Sequence, residues 1–329
     1  MSLKVVDSHT CGQPTRVILD GLPDIGDSSA AQARELLRGQ HDAIRRLAVF
    51  EPRGYPALLA VASFPPSSRA EHWRVVFMDA TGYPDMCGHA TIGVATTLVE
   101  TGRLQAAANG GSSVMLDTPG GLVSLELRVI DGRVDSVKLI NRPAYYLETV
   151  PVSGPNGRMT LPIAYGGQWY AFADAVAVGL KVEPGCVAEL VRVAASLRPL
   201  VAEAVSQPDP RTERPPRVEN IMWTDDPVDS WVDGRNMPVN RAGAFDRSPC
   251  GTGTSARLAV LHATGELAVG EEYVNSGVLG TVYRARIAHT TQVAGHEAVV
   301  PEITGSAWLT AHAELWCDRT DPLASGFLL

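Results

Sequence analysis

Apolar positions along the chain change period repeatedly, and the changes predict short strands punctuated by helices. Residues 58–64 and 73–78 are β-like runs, apolar but for Ser63 and Arg74 and bounded by turn residues, and they predict strands. The turn Thr81-Gly82-Tyr83-Pro84 follows. From residue 88 to 101 the apolar positions Ile92, Val94, Ala95, Leu98 and Val99 cover most of a helix circumference, and Gly102 stands as a C-terminal stop. That pattern predicts a helix buried within its domain. Strand-like pieces follow at 113–116, 122–129 and 134–140. The second half repeats the order less regularly. A helix is predicted at 187–204, a proline- and charge-rich loop at 207–217, a strand at 218–224 and a second buried helix at 252–264 closed by Gly265. Strand-like runs at 272–275, 281–287, 292–300 and 306–315 complete it. Ahead of all this, residues 4–6 form a short apolar start, and 7–17 are polar and turn-forming, so they read as a loop leaving a strand. Residues 28–48 place apolar side chains at near-helical spacing and predict one amphipathic surface helix, capped by Ser28 or Ser29.

Strands before and after a single buried helix, twice over, predict an α+β protein of two pseudo-symmetric halves facing each other across a cleft. The boundary is expected near residue 130. The halves are then 1–130, with 314–329 as a strand that can cross back to it, and 131–313.

The two buried helices share more than their period. The stretch DRSPCGTGTSARLAVLHATGEL at 246–267 and the stretch DMCGHATIGVATTLVETGRL at 85–104 align with Cys87 over Cys250. They then share Gly (88/251), Thr (91/254), Leu (98/261), Thr (101/264), Gly (102/265) and Leu (104/267). Each copy presents a thiol at a helix start, where open backbone N–H groups and the helix dipole favour negative charge and so favour thiolate. Two thiols set up alike predict a pair working on one substrate.

Composition narrows the function. The chain has 329 residues and a net charge of −8 without any basic cluster, which argues against nucleic acid and for a small-molecule ligand. Residues 1–15 lack the apolar core of a signal peptide, and no apolar run reaches the roughly 18–20 residues of a membrane span, so a cytoplasmic protein is expected. A homodimer is compatible with this reading. The cysteines at 11, 87, 186, 250 and 317 are odd in number and show no metal-ligand spacing, which speaks against a disulfide scaffold and against a structural metal. The lysines at 4, 138 and 181 lie in no site-like context for a pyridoxal phosphate Schiff base, and no glycine-rich nucleotide motif is present. No cofactor is expected.

A thiol pair without cofactor suits inversion at a carbon centre. Proton transfer needs a base on one face and an acid on the other, exchanging roles in reverse. A thiol with an ordinary pKa of about 8.5 can serve as both when a helix N-terminus lowers it somewhat. Backbone N–H groups of Gly88, His89, Gly251 and Thr252 can hold a carboxylate and stabilise charge delocalised into it. The His89 side chain is read as a carboxylate ligand or thiolate partner rather than a cap. Asp246 is read as the partner of a secondary ammonium rather than a turn former. Thr91, Thr254 and Ser255 serve equally well as helix caps, and Cys11, Cys186 and Cys317 are read as structural. Two other classes remain open: a dithiol redox protein, which would oxidise reversibly without inverting a substrate, and a non-catalytic amino-acid-binding protein, which Cys→Ser would leave intact.

MCGHATIG at 86–93 and DRSPCGTGTSARLA at 246–259 resemble the two signature segments of the proline racemase family. Further matches are DSHTCGQPTRV near the start, EPRG at 51–54, PEITGSAWLT at 301–310 and DPLASGF at 321–327, so the resemblance spans the chain. It implies a diaminopimelate epimerase-like fold with a mixed sheet around a central helix in each half. It implies Cys87 and Cys250 as base and acid, and Gly88, His89, Asp246, Gly251 and Thr252 as substrate-binding positions. Within the family, dehydratases of trans-3-hydroxyproline resemble this chain but replace one cysteine by Ser or Thr. Ala90-Thr91-Ile92-Gly93 lies closer to the HGTIG of hydroxyproline epimerases than to the HNSI of some proline racemases. The resemblance therefore points to a 2-epimerase converting trans-4-hydroxy-L-proline to cis-4-hydroxy-D-proline, with proline racemase as the first alternative and a trans-3-hydroxyproline epimerase or dehydratase as the second. Two departures bear on ring specificity: Cys11 stands where glycine is usual, and Asn220-Ile221-Met222-Trp223 lacks a nearby histidine that many epimerases have.

Overall fold

The computed structural model describes residues 2–68, 71–154, 157–318 and 320–329. The chain divides into two compact units, one of residues 1–139 with 305–329 and one of residues 140–304. The first unit holds strands β1 (Ser2–Thr10), β2 (Gln13–Asp20), β3 (Leu59–Phe64), β4 (Trp73–Met78), β5 (Gly110–Thr118), β6 (Gly121–Ile130) and β7 (Arg133–Ile140). The second holds β8 (Tyr145–Gly154), β9 (Gly157–Tyr165), β10 (Trp169–Asp174), β11 (Asn220–Asp225), β12 (Gly234–Val239), β13 (Glu272–Ser276), β14 (Val282–Val293) and β15 (His296–Gly305). The last strand, β16 (Ala307–Trp316), returns to the first unit and pairs antiparallel with β1 from Ser2↔Trp316 to Thr10↔Ala307. The boundary therefore falls beyond the expected residue 130, which ends β6: β7 pairs with β6 from Leu125↔Leu139 to Ile130↔Arg133 and stays with the first unit. On the return side the break lies near 305, because the whole of β16 belongs with β1.

Within the first unit the strand order is β16-β1-β2-β3-β4-β5-β6-β7. Its junctions are antiparallel except β2–β3 and β4–β5, which are parallel. In the second unit, read as β8-β9-β10-β11-β12-β13-β14-β15, the parallel junctions are β10–β11 and β12–β13. The two sheets thus follow one plan, with the parallel junctions third and fifth in each. A parallel junction requires a crossover long enough to hold a helix. The third junction carries α1 (Ala30–Gln40) and α2 (Asp42–Val49) in the first unit and α4 (Val187–Ala204) in the second. The fifth carries α3 (Gly88–Glu100) and α5 (Gly251–Ala263). The two cysteine-led helices therefore occupy the same crossover of the same sheet plan.

Both sheets are covered on two sides. In the first unit Leu37, Ile44 and Leu47 pack with Ala60, Ala62, Phe64, Val76 and Met78, while every residue of α3 from His89 to Leu98 is buried. All six positions of β3 and of β4 are buried as a result, which explains why both are apolar but for Ser63 and Arg74. In the second unit α4 packs Leu190, Val193, Leu197 and Val201 against Ile221, Trp223, Met237 and Val239. Each such aliphatic side chain contributes about 1.5–3 kcal/mol by leaving water. The second sheet also meets itself, since Ala144 and Val299 exchange backbone hydrogen bonds of 2.8 Å between the starts of β8 and the middle of β15.

Several expected elements differ in detail. Residues 7–17 are the tip of a β1–β2 hairpin rather than a loop, turning at Cys11 (φ 48°) and Gly12 (φ 98°). The single helix expected over 28–48 is two, broken at His41, with Ser29 in a reciprocal capping box with Gln32. Strands β8 to β10 and β12 were not anticipated. No helix among the described residues is long and apolar enough to cross a membrane.

Candidate active site

The sequence-predicted residues fall into two groups, one in each unit. In the first, Cys87 is the N-cap of α3 with extended backbone (φ −145°) and no capping bond from its side chain. Its Sγ lies 3.1 Å from Nδ1 of His89. His89 is nearly buried, and Thr10 of β1 donates its hydroxyl to the His89 carbonyl at 2.8 Å. Thr91 donates both its N–H and its hydroxyl to the Cys87 carbonyl, at 2.9 and 2.8 Å. Cap, histidine and first turn are thereby locked together, and Gly88 is the first helical residue.

In the second group, Cys250 is the N-cap of α5 but adopts a left-handed φ of 64°, a conformation costing a non-glycine residue about 1–3 kcal/mol and found mainly at functional sites. Its Sγ caps the helix by accepting from the Gly253 N–H at 3.4 Å. The thiol is buried among Ala164, Tyr170, Phe172, Met222, Ala256 and Val260. Burial, reinforced by the charge of Asp246, pushes its pKa up to about 12. The helix N-terminus was expected to lower both thiols; at Cys250 loss of hydration outweighs it, and the resting group is a neutral thiol. Asp246 uses Oδ1 to accept from Ser248 N–H (2.9 Å) and Ser248 hydroxyl (2.8 Å), while the same hydroxyl accepts from the Cys250 N–H at 3.2 Å. Asp246 thus closes this turn, a role compatible with the ammonium partner expected of it, and the turn holds its carboxylate beside the thiol. Gly251 and Thr252 open the helix, and the Thr252 hydroxyl stands 3.7 Å from Sγ.

The residue two positions after each cysteine, His89 or Thr252, reaches back to the sulfur, so one geometry is filled by different chemistry. One unit offers a thiol with an imidazole as proton partner; the other offers a thiol held neutral. Sequence reasoning missed Tyr170, whose hydroxyl lies 3.6 Å from the Cys250 Sγ and 2.6 Å from the Thr252 hydroxyl. It also missed Ser248 and Thr10. Tyr170 sits in an aromatic strand segment with no mark separating it from a core tyrosine, whereas Ser248, in the Asp-Arg-Ser-Pro turn, was legible as a turn partner of Asp246.

Comparison with known proteins fixes the class: the chain is an isomerase of the racemase and epimerase type. The family model described as proline racemase matches residues 5–328, and the chain belongs to the proline racemase family. A proline racemase of Clostridioides difficile is 37% identical over 330 residues, covering 100% of this chain and 98% of that protein. A 4-hydroxyproline 2-epimerase of Streptosporangium roseum is 38% identical over 327 residues, covering 98% and 97%. The crystal structure of a hydroxyproline epimerase from Agrobacterium vitis with bound trans-4-hydroxy-L-proline superposes with a TM-score of 0.83 at 30% identity, covering 100% of this chain and 96% of that one.

Proposed function

We propose that the protein is a cofactor-independent 2-epimerase of hydroxyproline, interconverting trans-4-hydroxy-L-proline and cis-4-hydroxy-D-proline, with Cys87 and Cys250 as its two proton carriers. The observation that carries this reading is the thiol at the N-cap of the buried helix in the same crossover of both units. One sulfur, as thiolate, takes the C2 proton; the C–H electron pair delocalises into the carboxylate; the other sulfur, as thiol, delivers its proton to the opposite face. No atom is gained or lost, and the two sulfurs have exchanged protonation states. The opening N–H groups of both helices, at Gly88, His89, Gly251 and Thr252, hold the carboxylate and the charge that grows on it. Asp246 pairs with the ring ammonium. His89, with Nδ1 at 3.1 Å from the Cys87 Sγ, is the partner of that sulfur as thiolate. The work is that of a cell's interior, and no second substrate is needed.

The similarity to a 4-hydroxyproline 2-epimerase and to a structure holding trans-4-hydroxy-L-proline supports the substrate, together with the Ala90-Thr91-Ile92-Gly93 segment. A proline racemase is 37% identical against 38% for the epimerase, so L-proline is the second reading. Proton NMR in D2O under reducing conditions separates them. Deuterium at C2 and a cis-D epimer from the 4-hydroxy compound alone is the expected outcome. Exchange on L-proline makes the protein a racemase, and a Cys87→Ser or Cys250→Ser protein with full inversion activity sinks the two-thiol mechanism.

A further inference from the structure

The buried state of Cys250 conflicts with what a proton carrier must do. In one direction of the reaction its sulfur has to stand as a thiolate, yet it is 7% exposed, sits among apolar side chains and lies beside the Asp246 carboxylate. The titratable groups acting on it are Asp246 from the preceding turn and Tyr170 from β10; the first opposes ionisation of the thiol and the second assists it. Three polar groups surround the sulfur: the Gly253 N–H, which donates to it at 3.4 Å, and the Tyr170 and Thr252 hydroxyls at 3.6 and 3.7 Å, which can donate or accept. The two hydroxyls are also 2.6 Å from each other.

That triangle has a property that separate donors lack. Sulfur and two oxygens share three protons when Cys250 is a thiol, and two when it is a thiolate. In the thiolate the Tyr170–Thr252 bond uses one hydroxyl proton and leaves the other to point at sulfur. In the thiol the S–H points at a hydroxyl oxygen instead, and both states are reached by rotating hydroxyl protons with heavy atoms fixed. Tyr170 is itself only 2% exposed, and its own ionisation is pushed well above the ordinary phenol range by burial, so it remains a donor rather than a competing acid. The strand is pressed onto the helix by the tight β9–β10 turn. A side chain at Gly166 would overlap the Thr252 carbonyl and the Ala256 amide, so the approach that delivers Tyr170 to the sulfur requires glycine there.

We infer that Tyr170 is a positioning residue for the proposed reaction: with Thr252 it forms a reversible hydroxyl switch that lets the buried Cys250 accept a proton as well as give one. The inference rests on the reading of Cys250 as a proton carrier. It also gives the second unit a counterpart to His89 as the partner of a thiolate.

The test reads the thiol directly. The pH dependence of iodoacetamide alkylation at Cys250, followed by peptide mass spectrometry, is measured alongside the pH profile of kcat. Tyr170→Phe is expected to lower the thiolate population at a given pH by roughly ten- to a hundred-fold, the worth of a hydrogen bond to a charged group. The alkylation midpoint and the kcat profile both move alkaline while KM changes little. Site-specific 3-fluorotyrosine at 170, a more acidic donor that keeps the packing, is expected to move the midpoint the opposite way. Loss of activity with an unmoved midpoint, or a midpoint unmoved in both variants, overturns the inference. Because alkylation does not depend on turnover, a Cys250→Ser protein that still inverts substrate marks failure of the parent reading by a separate measurement.

Discussion

Cys87 and Cys250 are matched in sequence and unmatched in environment, and the difference lies in their neighbours. Cys87 is partly exposed with an imidazole nitrogen at 3.1 Å, while Cys250 is buried with its pKa pushed up to about 12. Thiolate is the reactive form toward alkylating agents. In the ligand-free protein at pH 7.5, Cys87 is therefore expected to be alkylated at least roughly ten-fold faster than Cys250, as read by peptide mass spectrometry. The sign follows from the raised value: Cys250 stays neutral and unreactive below it and becomes reactive only as pH climbs toward it. Replacing either cysteine by serine is expected to lower kcat by about a hundred- to ten-thousand-fold, the usual worth of a general acid or base. At this scale the thiols were legible, because each is followed by glycine and small polar residues that leave a helix end open. Their protonation was not, since it depends on Asp246, Tyr170 and burial, and only Asp246 is close to Cys250 in the chain.

Helices α3 and α5 end as alike as they begin. In each, Thr101 or Thr264 returns its hydroxyl to the carbonyl four residues back, at 2.6 and 3.0 Å. Gly102 (φ 71°) and Gly265 (φ 78°) then turn left-handed, and Leu104 and Leu267 donate to the Leu98 and Leu261 carbonyls at 2.9 and 3.2 Å. The four residues shared at the C-terminal end of the aligned stretches are thus the parts of one helix lock. A Cβ at Gly102 or Gly265 meets open space, so the cost of alanine there is backbone strain alone, about 1–2 kcal/mol. Gly102→Ala and Gly265→Ala are expected to lower the thermal midpoint by roughly 2–4 °C for each kcal/mol lost, with the alkylation rates of Cys87 and Cys250 unchanged. Elements of this kind were readable because their signals are local. Strands β8 and β9 were not, although their buried positions largely alternate, because Pro151 and Pro162 lie within them and proline argues against a strand interior. The helix break at His41 was hidden for the opposite reason: apolar spacing runs on across it, and only Gly39 marks the interruption.

At the scale of the whole molecule, a repeat that sequence shows over about twenty positions extends through eight strands in each unit, with parallel junctions in the same places. Similarity of side chains has faded outside the cysteine-led stretches, while the order of crossovers, which packing constrains more tightly than residue identity, has not. The boundary expected near 130 divides β6 from β7, but pairing partners decide membership, and β7 pairs with β6. The unit of residues 140–304 is continuous in the chain, whereas the first needs β16 to cover the edge of β1 and the buried Leu3 and Val5. A chain ending at residue 304 is expected to keep the cooperative unfolding of the second unit and lose that of the first, as read by circular dichroism melts with hydrophobic dye binding to report the exposed edge.

The pairing of β1 with β16 also sets an order of events on the ribosome. Strand β1 finds its outer partner only when residues 307–316 have been made, so its edge waits while about three hundred residues are added. The second unit, closed by residue 304, can be complete before then. At about 5–20 residues per second the wait is some tens of seconds, longer than most folding steps, and over that time the unpaired edge of the β1–β2 hairpin is open to its neighbours.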